Sequence, residues 1–223
     1  MKKCVIIELS KFKGDILMRE PIISKKIEKA NLSALSYEYK ISDFEFINED
    51  CQKKFINIEF NGCVFRKMNF SGSFNDCFLY HLYFENCDLS NVTFKKCGFH
   101  RVIFNNCRLM GTNFIECNLK YVTISDTKAD YLNISGSKLN EVYFMDSMLE
   151  NSFFDDTSLN KHKFFNCNLI SASFAHTSLK DVDLSNSQIG FLKIATKDLK
   201  GAIISPYQAI DLMGIIGVKI KEE

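Results

Sequence analysis

The stretch Val92-Thr93-Phe94-Lys95-Lys96, Cys97-Gly98-Phe99-His100-Arg101, Val102-Ile103-Phe104-Asn105-Asn106, Cys107-Arg108-Leu109-Met110-Gly111, Thr112-Asn113-Phe114-Ile115-Glu116 is one five-residue unit repeated. A large apolar residue stands at the centre of each unit, a small or branched one two positions earlier, and mostly polar residues lie between. Five fits neither the helical period of 3.6 nor the strand period of 2. A short extended piece followed by a corner accounts for it. Residues i−2 and i of a strand share one side and both face inward, and the Asn, Asp, Ser and Gly that follow supply the turn. A unit this small cannot bury its own apolar face, so the units must stack. At about 4.8 Å per layer, each strand pairs with those above and below it. The stretch therefore predicts an all-β solenoid.

The register runs outward from there, from Phe74 to Ile204. Phe, or Ile in its place, prevails at centres ending in 4, and Leu at centres ending in 9, so the true period is an even number of units. Two units leave no interior, whereas four make a square coil of about 20 residues. Phe84, Phe104 and Ile124 then stack in one ladder, and Phe94, Phe114 and Ile134 in the opposite one. Phe55, Phe60, Phe65 and Phe70 continue the pattern one residue out of register. The slip falls at Ser71-Gly72-Ser73, where a corner adjustment is expected and glycine tolerates unusual backbone. Lys53 and Lys197 occupy inward slots, tolerable near an open mouth where the amine reaches water. Ile124, Ala129 and Ile134 replace the Phe–Leu–Phe of other coils, which predicts a cavity or bend there.

The pattern resembles the pentapeptide-repeat family, whose consensus places a small residue at i−2 and Leu or Phe at the centre. The resemblance spans about 150 of the 223 residues. It implies a right-handed quadrilateral β-helix, here about eight coils over residues 51–204. Residues 1–50 are read as an N-terminal cap or extension, and 205–223 as a capping or dimerisation helix followed by a short strand.

Composition narrows the function. The chain is 46% hydrophobic, enough for a sizeable core, and nearly neutral, with 28 Lys+Arg against 27 Asp+Glu. No general attraction to nucleic acid follows. The apolar start, Cys4 to Ile7, stops at Glu8, short of a signal sequence, and no stretch approaches a membrane span. A cytoplasmic protein with no membrane partner is expected. Seven of the nine cysteines, Cys63, Cys77, Cys87, Cys97, Cys107, Cys117 and Cys167, fall at inward i−2 slots. They read as small core residues, because a one-dimensional ladder cannot wrap four sulfurs around a zinc ion.

No catalytic motif occurs, and a filled solenoid has no cleft. A non-enzyme without metal or cofactor is expected. His81, His100 and His176 fall at outward positions. His162 takes an inward slot and is expected to bond a neighbouring hydroxyl or carbonyl. Asp155 and Asp156 are outward and read as a solvated pair.

Two walls differ in charge. One, centred on Phe84, Phe104, Ile124, Phe144, Phe164 and Leu184, shows Tyr83, Glu85, Ile103, Asp126, Tyr143, Met145, Asp146, Phe165 and Asp183, with Lys163 opposing. An acidic wall laced with apolar residues is a candidate partner-binding surface. The wall centred on Phe99, Leu119 and Leu139 is basic, with Arg101, Lys120, Lys138, Lys161, Lys180 and Lys200.

At the end of the chain, Ser205-Pro206-Tyr207-Gln208 is a capping-box start. Tyr207, Ile210, Leu212, Met213, Ile215 and Ile216 then surround the helix before Gly217 ends it. A monomer cap needs only one apolar stripe. These residues, with Val218 and Ile220, therefore predict a homodimer joined at this end. Asp198-Leu199-Lys200-Gly201-Ala202-Ile203-Ile204, Tyr207-Gln208-Ala209 and Leu212-Met213 are similar to the ending of the Qnr quinolone-resistance proteins. That resemblance implies dimerisation through this tail. The tail is not the segment those proteins use to engage gyrase, but solenoid and tail together support the expectation of a Qnr-like rod that imitates duplex DNA and protects type II topoisomerases, DNA gyrase or topoisomerase IV, from quinolones. The alternative is a scaffold for an unidentified protein.

Overall fold

A computed structural model describes residues 19–35, 39–219 and 221. The chain is a parallel β-solenoid of about seven turns with small C-terminal helices. Strands Phe78–Glu85, Gly98–Asn105, Asn118–Ser125 and Lys138–Met145 stack directly on one another. Each bends at a left-handed residue, His81, Arg101, Tyr121 or Glu141, with φ between 53° and 58°. One strand thus covers two walls. We call the wall after the bend, with centres Phe84, Phe104, Ile124 and Phe144, the first. Leu89, Leu109, Ala129 and Leu149 centre the second, Phe94, Phe114, Ile134 and Phe154 the third, and Leu79, Phe99, Leu119 and Leu139 the fourth.

The ladders stack as the five-residue pattern requires. Phe84 pairs with Phe104, Phe104 with Ile124, Ile124 with Phe144 and Phe144 with Phe164. Identical residues at strand spacing make ring stacks inside the coil. Centroids are 4.7 Å apart for Phe84–Phe104, 4.7 Å for Phe74–Phe94 and 4.9 Å for Phe154–Phe174. Offset stacks of this kind contribute about 0.5–1.5 kcal/mol each beyond area burial.

The corners follow one rule. The non-glycine residues with positive φ, from 49° to 62°, stand two positions after an inward centre. About half are Asn or Asp, which tolerate this conformation best; other L-residues lose about 1–2 kcal/mol in it. Ladder bonds hold the corners against that cost. The N–H of Asn86 donates to Asn105 O at 3.1 Å, and that of Asn106 to Ser125 O at 3.0 Å.

The inward cysteines are buried and free. The Cys97 thiol donates to Phe74 O at 3.3 Å and Lys95 O at 3.4 Å. Ser137 fills the same kind of slot, its hydroxyl donating to Phe114 O at 2.9 Å. Burial pushes the Cys63 thiol up to about 11 and Cys167 up to about 12, away from the thiolate that nucleophilic or ligand chemistry requires. No three metal-ligating side chains gather among the described residues.

The slip at Ser71-Gly72-Ser73 is a short corner, and it has a twin. Lys40 pairs with Glu59 and Glu59 with Phe78, giving 19-residue coils, before Phe78 pairs with Gly98 and the coil lengthens to 20. Cys51 to Phe55 and Phe70 to Phe74 are both one residue short and stack on each other. Ladder pairing also reaches upstream of residue 51, as far as Glu28–Lys29 on Phe44–Glu45.

Below this, a turn at residues 31–34 plugs the open mouth. Leu32 is fully buried, and Glu49 accepts the N–H groups of Leu32 and Ser33. The Lys53 amine reaches Ser33 O at 2.7 Å and Leu32 O at 3.3 Å. Its inward slot is tolerated through carbonyls of the plug, where bulk water was expected. Lys197 instead lies exposed on a helical turn, α1 (Thr196–Leu199). That turn replaces an extended unit at the end of the solenoid, which has about seven turns against the eight expected.

The thin coil is filled from an unforeseen slot. Leu132 is fully buried where Val92, Thr112, Ser152 and Ala172 stand in other coils. It supplies volume that Ala129 and Ile134 lack, and the strand ladder passes this level in register.

Candidate functional site

Outward positions on a solenoid wall normally carry polar side chains, since they meet water. On the first wall, three consecutive coils carry Val64, Tyr83 and Ile103 instead, and all three are buried, with Tyr83 only 3% exposed. They form a small apolar cluster separate from the main core, and Ile23 and Ile27 pack on it. Residues 19–27 cross the coils as a strap on the outside of this wall. The Ile22 N–H donates to His81 Nδ1 at 3.1 Å. The Arg19 guanidinium lies 4.3 Å over the Tyr121 ring and 3.6 Å from Glu141. Burial, then the charges of Arg101 and His100, lowers the His81 pKa. The neutral ring, with its proton on Nε2, is the form that can accept from Ile22.

The strap corrects the expected partner-binding wall. Tyr83 and Ile103 are not free surface, and Met145 is only 2% exposed. Tyr143 and Glu85 are half-buried, and Glu85 is paired through Arg66, which also bonds Glu45 at 3.0 Å. The exposed members of the set are Asp126, Asp146, Phe165 and Asp183. Asp126 and Asp146 stand on adjacent coils at the corner between the first and second walls. The corner positions above and below them are Asn86, Asn106 and Asn166, and Asn166 Nδ2 donates to Asp146 Oδ1 at 2.6 Å. Open polar grooves of about 600 and 510 Å³ run along this corner. The signal for the covering segment was present in the sequence as stacked apolar residues at positions that should be wet.

His162 does not make the hydrogen bond expected of it. Both ring nitrogens lack a partner among the described residues, and burial draws its pKa down to about 4. His176 faces Asp156 across one coil at 3.2 Å. Asp155 accepts from Ser173 Oγ and Ala175 N, so this acidic pair is engaged by the neighbouring coil.

The C-terminal tail forms α2 (Gln208–Met213) and a 3-10 turn, Gly214–Ile216, ended by Gly217 at φ 79°. Half the capping box is made, with Ser205 N–H donating to Gln208 Oε1 at 2.7 Å. Gln208 Nε2 also donates to Leu184 O at 2.8 Å, docking the helix on the last coil. Leu212 is buried against this chain's own core and so is not available to a second subunit, contrary to expectation. Met213 and Ile215 are half-buried. Tyr207, Ile210, Ile216 and Val218 remain open, between 47% and 88% exposed. Ile220 lies outside the described residues.

Residues 77–154 match the family model of the pentapeptide repeat region. This stretch is a pentapeptide-repeat region. The repeat chain is also similar to three solved structures. A trypsin-treated variant of QnrB1, a plasmid-mediated fluoroquinolone resistance protein, is 22% identical, with 86% of this chain and 95% of that one covered and a TM-score of 0.46. HetL, a pentapeptide repeat protein involved in heterocyst differentiation regulation from the cyanobacterium Nostoc sp. strain PCC 7120, is 14% identical, with 74% and 85% covered and a TM-score of 0.41. Rfr23, from the cyanobacterium Cyanothece 51142, is 10% identical, with 71% and 88% covered and a TM-score of 0.21. No curated protein matches the repeat chain. None of its described helices is long and apolar enough to cross a membrane.

Proposed function

We propose that this pentapeptide-repeat chain is a non-catalytic cytoplasmic rod that binds a nucleic-acid-handling protein, and that the partner is a type II topoisomerase, DNA gyrase or topoisomerase IV. The observation that carries this reading is how the first wall is sorted: its apolar residues other than Phe165 are buried or half-buried, while Asp126, Asp146 and Asp183 stay exposed. The resemblance of solenoid and tail together to Qnr proteins supports the choice of partner. Adjacent coils place Asp126 and Asp146 about 4.8 Å apart along the rod, against an axial rise of about 3.4 Å per phosphate along one DNA strand. With a net charge of +1, the mimicry is a local ridge and not a property of the whole rod.

Purified protein is expected to restore gyrase supercoiling in the presence of a fluoroquinolone at low micromolar concentration. The double substitution Asp126→Asn and Asp146→Asn keeps residues suited to left-handed corners, and should raise the concentration required by about tenfold. No rescue by the native protein would eliminate the topoisomerase reading and leave a scaffold with another partner.

The open apolar end supports a second copy docking through Tyr207, Ile210, Ile216 and Val218. Sedimentation equilibrium is expected to give a dimer for the native chain and a monomer for Ile210→Lys, a position already 63% exposed and so harmless to the fold. A native monomer at micromolar concentration would refute this arrangement.

A further inference from the structure

The strap is attached differently from the coils it crosses. Each coil is held by ladder bonds to its neighbours, but residues 19–27 pair with no strand. Their described attachments are one hydrogen bond from the Ile22 N–H to His81, the Arg19 contacts, the packing of Ile23 and Ile27, and the burial of Pro21. Val64, Tyr83 and Ile103 share no residue with the main core cluster. The strap can therefore leave without opening the solenoid, whose first wall then presents three stacked apolar side chains beside Glu45, Glu85 and Glu141.

We infer that this wall is a docking groove for an extended, basic peptide segment of a partner protein, and that residues 19–27 occupy it in cis until the partner displaces them. The strap defines the chemistry the groove accepts. Two isoleucines four positions apart meet the apolar ladder, and a guanidinium reaches the carboxylate of Glu141. Lys25 and Lys26 add positive charge on a wall where Glu45 and Glu85 share Arg66 and the carboxylate of Glu141 is met by Arg19 of the strap itself. Recognition by side chains alone, with the wall's own ladder already satisfied, differs from strand addition at a sheet edge. The inference is independent of the acidic corner: it uses other residues of the wall, and either can fail without the other.

The probe is a fluorescein-labelled synthetic peptide with the sequence of residues 19–29, titrated by anisotropy into full-length protein. A resident strap lowers apparent affinity by the fraction of time the groove is occupied, so Ile23→Ser with Ile27→Ser should bind the peptide at least about tenfold more tightly than the native chain. Adding Ile103→Glu to that variant should abolish binding. No binding to a strap-weakened variant that keeps the native circular dichroism and thermal transition would overturn the proposal. So would binding unaffected by Ile103→Glu. If unlabelled native protein competes as well as unlabelled peptide, the occupant is a second copy's strap, and the partner reading falls.

Should the strap variant fail to fold, hydrogen exchange on the native chain decides. The Ile22 amide is expected to exchange at least about 100-fold faster than ladder amides in Phe78–Glu85, as a locally opening segment does. Equal protection would make the strap an integral part of the fold and refute displacement.

Discussion

Replacing His162 with valine is expected to stabilise the protein at pH 7 by about 1–3 kcal/mol, the usual range for removing an unsatisfied buried polar group, less the small cavity a shorter side chain leaves. Val102, Val122, Val142 and Val182 hold the same slot in other coils, all buried. The imidazole has no hydrogen-bond partner among the described residues, and its ring meets Phe164 edge-on at 5.6 Å. Around it the eight-residue strand of the lower coils is divided into Ser158–Asn160 and Lys163–Phe165. Melting curves test the stability change, and amide protection at Lys161 and residue 162 tests whether the ladder closes.

The effect grows with acid. The folded pKa is lowered to about 4, against about 6.5 in the unfolded chain. Above pH 6.5 both states are neutral and titration contributes nothing. As pH falls through 6.5 the unfolded chain takes up the proton first, and by pH 4 this linkage costs the native state about 3 kcal/mol. His162→Val should lack that slope. A variant less stable than the native chain at both pH 7 and pH 5 would show that the ring is held by contacts worth more than its unpaired nitrogens cost.

Gly72→Ala is expected to destabilise the N-terminal coils by about 2–4 kcal/mol, through forced overlap with backbone that cannot rotate away. An added Cβ would lie 1.9 Å from the carbonyl oxygen of Lys53 and 2.8 Å from its carbonyl carbon. The glycine is needed for this close approach, where one short corner sits on another, and not for a left-handed φ. In a chain of this length the loss corresponds to roughly 4–16 °C in melting temperature. Exposed Ser71→Ala, one residue away, should stay within about 0.5 kcal/mol of the native chain. Equal melting of Gly72→Ala and the native chain would mean the two corners are spaced more widely than described.

The centres, the small inward slots and the four-unit coil were legible because a pattern repeated seven times averages out local exceptions. Gly72 was legible as a slip, but its reason, the twin corner at Cys51–Phe55, needed the coils to be stacked. His162 was rightly placed inward. Its missing bond was not foreseeable, since hydrogen-bond satisfaction depends on which carbonyls a ring can reach. The strap was missed because Pro21, Ile23 and Ile27 carry no five-residue period and contact residues far along the chain. Its target was nevertheless written at Val64, Tyr83 and Ile103, the last two of which were read as a surface awaiting a partner. Leu212 was misassigned for a related reason: helical spacing counts apolar faces, but does not say which one the last coil already claims.

A solenoid whose coils touch only their neighbours unfolds like a zipper, from either end and one layer at a time. The strap breaks that locality. Running from the level of Tyr121 and Glu141 back to that of Phe44, it ties together layers that otherwise never meet. While it is docked, those coils share one unfolding transition; once it lifts, they become separable, and the rod's N-terminal half gains the compliance of a chain of independent links.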